Sequence, residues 1–221
     1  MIKILQEINN KPIVNNIYGF KNYHGTKLGI LRKIAKQIAK DKYYDYFKQE
    51  HLSYEEIVVH AYAIGYLKED ITILLTLLKD FIKQIDNWSV CDSLCQNMIF
   101  ARMYPEEVFE FLKTLINTEN QWENRIVVVT FLSHYLNENY IDKVIETIKI
   151  IKPTTYMSKM GYAWLLATMM AKFPIKTFEF MKNNEIDTWT YNKAIQKMIE
   201  SYRVSKEYKI ILKNMKKKQI Q

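Results

Sequence analysis

Trp88 and Asp92 stand four residues apart in the stretch Asn87-Trp88-Ser89-Val90-Cys91-Asp92. In a helix that spacing puts an indole and a carboxylate on one face, one turn apart. The surrounding residues read as a helix meant for burial, where an uncompensated carboxylate is costly, so Asp92 requires a cationic partner. Arg125, ahead of the apolar run Ile126 to Val129, poses the opposite requirement and needs an anion. Trp164, in Gly161-Tyr162-Ala163-Trp164, is a third amphipathic position of this kind. Asp92 and Arg125 could satisfy each other as a structural bridge between neighbouring repeats, or each could meet a ligand.

The elements that must position these residues announce themselves by their start signals. Ser53 with Glu56 makes a capping box before Ile57-Val58-Val59; Asn87, Asn120 and Asp187 precede Trp88, Trp122 and Trp189 as N-caps. With a further start near 155, the starts recur about every 33 to 35 residues. Each unit has a second helix: Ile71 to Gln84, one opened by Pro105-Glu106-Glu107, Tyr140 to Ile151, and Pro174 to Asn183. Helix pairs of this length predict an all-α solenoid, with the first helices of successive units side by side on one wall. Asp92, Arg125 and Trp164 then fall on that wall in successive units.

Five Gly and four Pro in 221 residues, with 48% hydrophobic content, favour long helices and a sizeable core. One domain is expected over 1–221: basic N-terminal helices over 1–52, including Lys27 to Lys40 after the turn-like Tyr23-His24-Gly25-Thr26, about five helix pairs over 53–216, and a basic tail at 217–221. No apolar run approaches a bilayer span, and no signal peptide is legible, which predicts a cytoplasmic protein without a membrane partner. Cys91 and Cys95 have neither zinc nor disulfide spacing and are expected reduced and packed. His24, His51, His60 and His134 show no metal-ligand spacing, so no metal is expected.

The net charge of +8 is unevenly placed: +6 over residues 1–52, +6 over 203–221, and −4 between. Basic ends around an acidic middle suit a polyanion gripped from two sides, and equally suit a chain kept soluble by surface lysines.

The phrases Asn-Trp-Ser-Val-Cys-Asp at 87–92, Trp-Glu-Asn-Arg at 122–125 and Ala-Trp-Leu-Leu at 163–166 resemble the AlkD-type DNA alkylation-repair glycosylases, which are HEAT-like all-α proteins. The likeness runs from Tyr23-His24-Gly25 and Leu31-Arg32-Lys33 to Tyr191-Asn192-Lys193-Ala194, and rests on Trp, Asp, Arg and Trp occurring in that order at those repeat positions. It implies a single curved domain of HEAT-like pairs, acting as a monomeric, cofactor-free glycosylase. The implied reaction is hydrolysis of the N-glycosidic bond of cationic purines, of the 3-methyladenine or 7-methylguanine type, in duplex DNA. A methylated purine is already a cationic leaving group, so catalysis needs little general acid; Asp92 would stabilise the oxocarbenium-like sugar and position water. Trp88 and Trp164 would hold the nucleotide through their faces. Arg125 would meet a backbone phosphate, and Tyr23 is a candidate nucleotide contact.

The chain departs from the family's pattern in three places. Many members carry Leu-Arg-Glu after the second Trp where this chain has Leu165-Leu166-Ala167-Thr168, Ser89 stands where an acid is common, and the N-terminal segment is shorter. The alternative reading of the same residues is a non-catalytic solenoid that binds nucleic acid or scaffolds protein partners.

Overall fold

A computed structural model describes residues 2–16 and 18–218, so positions 219–221 of the expected basic tail lie outside the described residues. The N-terminal segment forms α1 (Ile2–Asn9), α2 (Leu28–Lys40) and a 3-10 turn at Tyr44–Lys48. Ser53 then accepts the Glu56 amide while the Glu56 carboxylate accepts the Ser53 amide, and this capping box opens α3 (Tyr54–Tyr66). Asp70 caps α4 (Ile71–Ile82), and Asn87 caps α5 (Trp88–Asn97) through the Val90 amide at 3.0 Å. A short α6 (Phe100–Met103) leads to α7 (Pro105–Lys113).

The second half repeats the device. Asn120 accepts the Trp122 amide at 2.9 Å and opens α8 (Gln121–Thr130); α9 is Ile141–Ile150. A second capping box, Thr155 with Ser158, starts α10 (Tyr156–Lys172), followed by α11 (Pro174–Lys182) with Pro at its first turn. Asp187 caps α12 (Thr188–Glu200) and Ser205 caps α13 (Lys206–Asn214). All the expected helices form, several ending a residue or two early, and no strand occurs among the described residues. No described helix is long and apolar enough to cross a membrane.

One element had no sequence signal. Residues Phe131–Tyr135 extend α8 as a π-helical turn. There the Ser133 hydroxyl donates to the Val129 carbonyl at 2.7 Å, adding a side-chain donor to the helical ladder.

The chain divides into two compact units, Met1–Phe111 and Leu112–Gln221. In the first, α3 packs against α2 and α5; in the second, α10 packs against α8 and α12. First helices of successive repeats thus lie side by side within each unit, as the repeat spacing requires. Such helices are covered on several sides, so α3 buries residues all round its axis, among them Val58, Val59, Ala61, Tyr62, Ala63 and Ile64. Cys91 and Cys95 are both buried in α5.

His60 is buried in α3, with His51 Nε2 2.7 Å from its Nδ1 and the Phe47 and Phe81 rings beside it. Burial, then the neighbouring His51, pushes the His60 pKa down to about 2, and burial also lowers that of His51. The unfolded chain therefore takes up a proton below about pH 6.5 that folded His60 refuses, so stability present at neutral pH is lost as pH falls. From His60 alone the loss between pH 7 and pH 5 is about 2 kcal/mol. Unfolding free energies from urea curves at the two pH values should converge in a His60→Phe variant by about that amount; an unchanged gap refutes the assignment.

Candidate functional site

In the first unit, α5 carries Trp88 and Asp92. Trp88 is half-buried, and the segment between α1 and α2 runs beside it. Tyr18 meets the indole edge-on with centroids 5.9 Å apart, and Phe20 lies at 6.0 Å. Phe20 in turn stacks on Tyr54 at 4.4 Å and meets Tyr23 edge-on at 6.1 Å. Tyr23 therefore reaches the Trp88 cluster through Phe20 rather than directly.

Asp92, one turn along, is 7% exposed. It is buried, not spread on a surface. Its neighbour Ser93 donates to the Tyr62 hydroxyl at 3.3 Å, and Tyr62 carries the Arg32 guanidinium 5.1 Å from its ring centroid. Ser89, where an acid is common in the resembling family, faces α3, its hydroxyl 2.7 Å from the Tyr54 phenol. Burial pushes that phenol up to about 12 against the opposing effect of the Ser89 hydrogen bond.

Sequence reasoning passed over Glu55 and Tyr54. Glu55 looked like an ordinary first-turn acid of α3, yet it is fully buried. Its carboxylate accepts the His24 amide at 3.0 and 3.2 Å and the Thr26 amide at 3.1 Å. These bonds fasten the 23–26 turn, whose Gly25 has φ +73°, to the helix next to α5. The available signal was Glu55 two residues after a capping serine, in a chain whose upstream segment holds a glycine-containing turn.

In the second unit, α8 presents Arg125 and α10 presents Trp164. Arg125 is 6% exposed, and its Nη1 donates to the Met157 carbonyl at 2.8 Å, tying α8 to the first turn of α10. Gly161 lets α10 approach α8 closely: a Cβ there would lie 3.0 Å from Val128 Cγ2, with Arg125 Cγ and Nη1 in ordinary contact at 3.4 and 3.5 Å. Trp164, one turn beyond Gly161 on α10 less one residue, is half-buried and borders a cavity of about 300 Å³ that Lys197 of α12 also lines. The positive charge of Arg125 is among the causes that lower the Lys197 pKa, after burial and Lys193.

Of the other two tryptophans, Trp122 is buried, while Trp189 packs edge-on to Tyr156 at 5.8 Å under the Lys159 ammonium.

Each unit thus offers an aromatic face beside a buried charged group: Trp88 with Asp92 in one, Trp164 with Arg125 in the other. Fold and site together define an all-α helix-repeat protein with charge built into its repeat walls. The family model for DNA alkylation repair enzymes matches residues 7–198, and the chain belongs to that family. No curated protein and no solved structure matches the chain. The matched span contains Tyr23, Trp88, Asp92, Arg125 and Trp164.

Proposed function

We propose that the protein is a monofunctional DNA glycosylase that releases cationic alkylated purines, of the 3-methyladenine or 7-methylguanine type, from duplex DNA. The observation that carries this reading is the placement of Asp92 on α5, buried and one turn from the half-exposed Trp88, within the family-matched span. A carboxylate removed from bulk water stabilises a developing oxocarbenium ion far better than one that is solvated. The lesion supplies the positive charge on the leaving base, so no strong acid is required of the protein.

In this reading Asp92 is the catalytic carboxylate, orienting water and stabilising the cationic sugar. Trp88 and Trp164 present aromatic faces to the modified nucleotide. Arg125 supplies positive potential toward the phosphates, and Tyr23 supports the aromatic cluster that fixes Trp88. Duplex DNA bearing alkylated bases is the substrate.

A second reading is favoured by the same burial. Asp92 and Arg125 are both under a tenth exposed, as structural charges in a non-catalytic DNA-binding repeat protein would be. Release of 7-methylguanine from methylated duplex DNA, compared between wild type and Asp92→Asn, separates the two readings.

A further inference from the structure

Between α10 and α12 the second unit holds the cavity of about 300 Å³ beside Trp164. Its floor is small on the α10 side, where Ala167 and Ala171 line it, and cationic on the other, where Lys197, Ser201 and Arg203 do. Lys197 is half-buried with no ion-pair partner among the described residues. One acid, Glu200, also lines the cavity, but its carboxylate accepts the Gln196 amide at 2.8 Å, and Gln196 in turn accepts from Lys193 at 3.1 Å.

The Lys197 ammonium is held in a costly environment. Burial lowers its pKa and the positive charge of Lys193 pushes the same way, with Glu200 pulling against them and Arg125 adding the smallest push. A cation kept half-buried among other cations gains most from an anion that enters the cavity. Ser201 shapes the rim: its hydroxyl oxygen accepts the Arg203 amide at 3.3 Å, fixing the turn that carries the exposed Arg203 side chain. Arg203 lies beyond the family-matched span, which ends at 198.

We propose that this cavity is a phosphodiester subsite, in which Lys197 and Arg203 together hold one DNA backbone phosphate beside the face of Trp164. The proposal rests on the DNA-repair reading above and deepens it by naming residues that grip the strand. Arg203 offers a planar fork for two phosphate oxygens and Lys197 a point charge beneath them. The Trp164 ring supplies a face for the adjoining sugar or base.

The test is binding of the full chain to an unmodified, fluorescently labelled duplex across a salt series. The Lys197→Ala/Arg203→Ala variant should bind about tenfold more weakly at low salt, with a log K against log salt slope shallower by about 1 to 2. Ala171→Glu, which places a carboxylate in the cavity at a half-buried helical position, should give the same loss. Lys68→Ala/Lys79→Ala removes two exposed cations from the first unit and controls for net charge. If the double variant behaves like this control, the subsite is wrong.

Inorganic phosphate added at constant ionic strength distinguishes the source of the anion. Phosphate that competes with duplex on wild type but not on the double variant supports the assignment, since both anions need Lys197 and Arg203; phosphate that binds through these two residues yet leaves duplex bound assigns the cavity to a free anion and overturns it. Because unmodified DNA is the probe, failure here leaves the Asp92 base-release result untouched. Conversely, a wild type that releases no base would sink the glycosylase reading while these binding curves still decide the subsite.

Discussion

Asp92→Asn is expected to release 7-methylguanine on the order of a hundredfold more slowly than wild type, a loss of about 3 kcal/mol of transition-state stabilisation. The substitution keeps side-chain shape and removes the negative charge, so it isolates electrostatics from packing. The charge matters because Asp92 is 7% exposed, and a carboxylate shielded from water interacts more strongly with a cationic sugar. A purely structural Asp92 gives a different pattern. Neutralising a paired buried charge would destabilise the fold by about 3–5 kcal/mol, yet molecules still folded would release base at the wild-type rate. Base release at a temperature where both proteins are folded, together with a urea unfolding curve, separates the outcomes. Equal rates refute the chemistry proposed for Asp92.

The largest effect on stability is expected at Gly65, near the end of α3. A Cβ at this position would lie 2.4 Å from the Asn97 carbonyl oxygen and 2.7 Å from its carbon, both backbone atoms at the end of α5. The Gly65 carbonyl also accepts the Ile99 amide at 3.0 Å, so the two segments are fastened where they are closest. Gly65→Ala gains up to about 1 kcal/mol in helix propensity. That gain is outweighed, because backbone cannot rotate away as a side chain can, and α3 must separate from α5. A net destabilisation of about 2 kcal/mol or more is expected, read as a lower urea midpoint. Since α5 carries Trp88 and Asp92, base release should fall as well. An unchanged midpoint would mean the helices do not approach this closely.

The helix starts were legible because capping is local chemistry. Ser53, Asn87, Asn120, Thr155 and Asp187 each accept an amide two or three residues ahead, so the residues that make the bond are adjacent in the chain. The π-helical turn at Phe131–Tyr135 escaped because Ser133 reads as an ordinary polar helical residue until its hydroxyl is seen to bond back to Val129. Glu55 escaped for a similar reason: its partners, the His24 and Thr26 amides, lie about thirty residues away. The His51–His60 contact escaped because two histidines nine residues apart carry no local signal for burial, which comes from packing against Phe47 and Phe81.

The amino-acid sequence by itself determined the all-α class, the helix pairs and their period, and the four residues Trp88, Asp92, Arg125 and Trp164 as the ones whose types and places require an explanation. Those properties follow from caps, hydrophobic periodicity and the cost of charge on apolar helices, which act over a turn or a repeat. Tertiary structure decided the surroundings of each residue. It buried Asp92, seated Arg125 over Gly161 with a bond to Met157, set Tyr18 and Phe20 against Trp88, and brought Lys197 and Arg203 to the cavity beside Trp164. These outcomes depend on which helix faces meet, and burial and field at a side chain are set by neighbours distant in sequence.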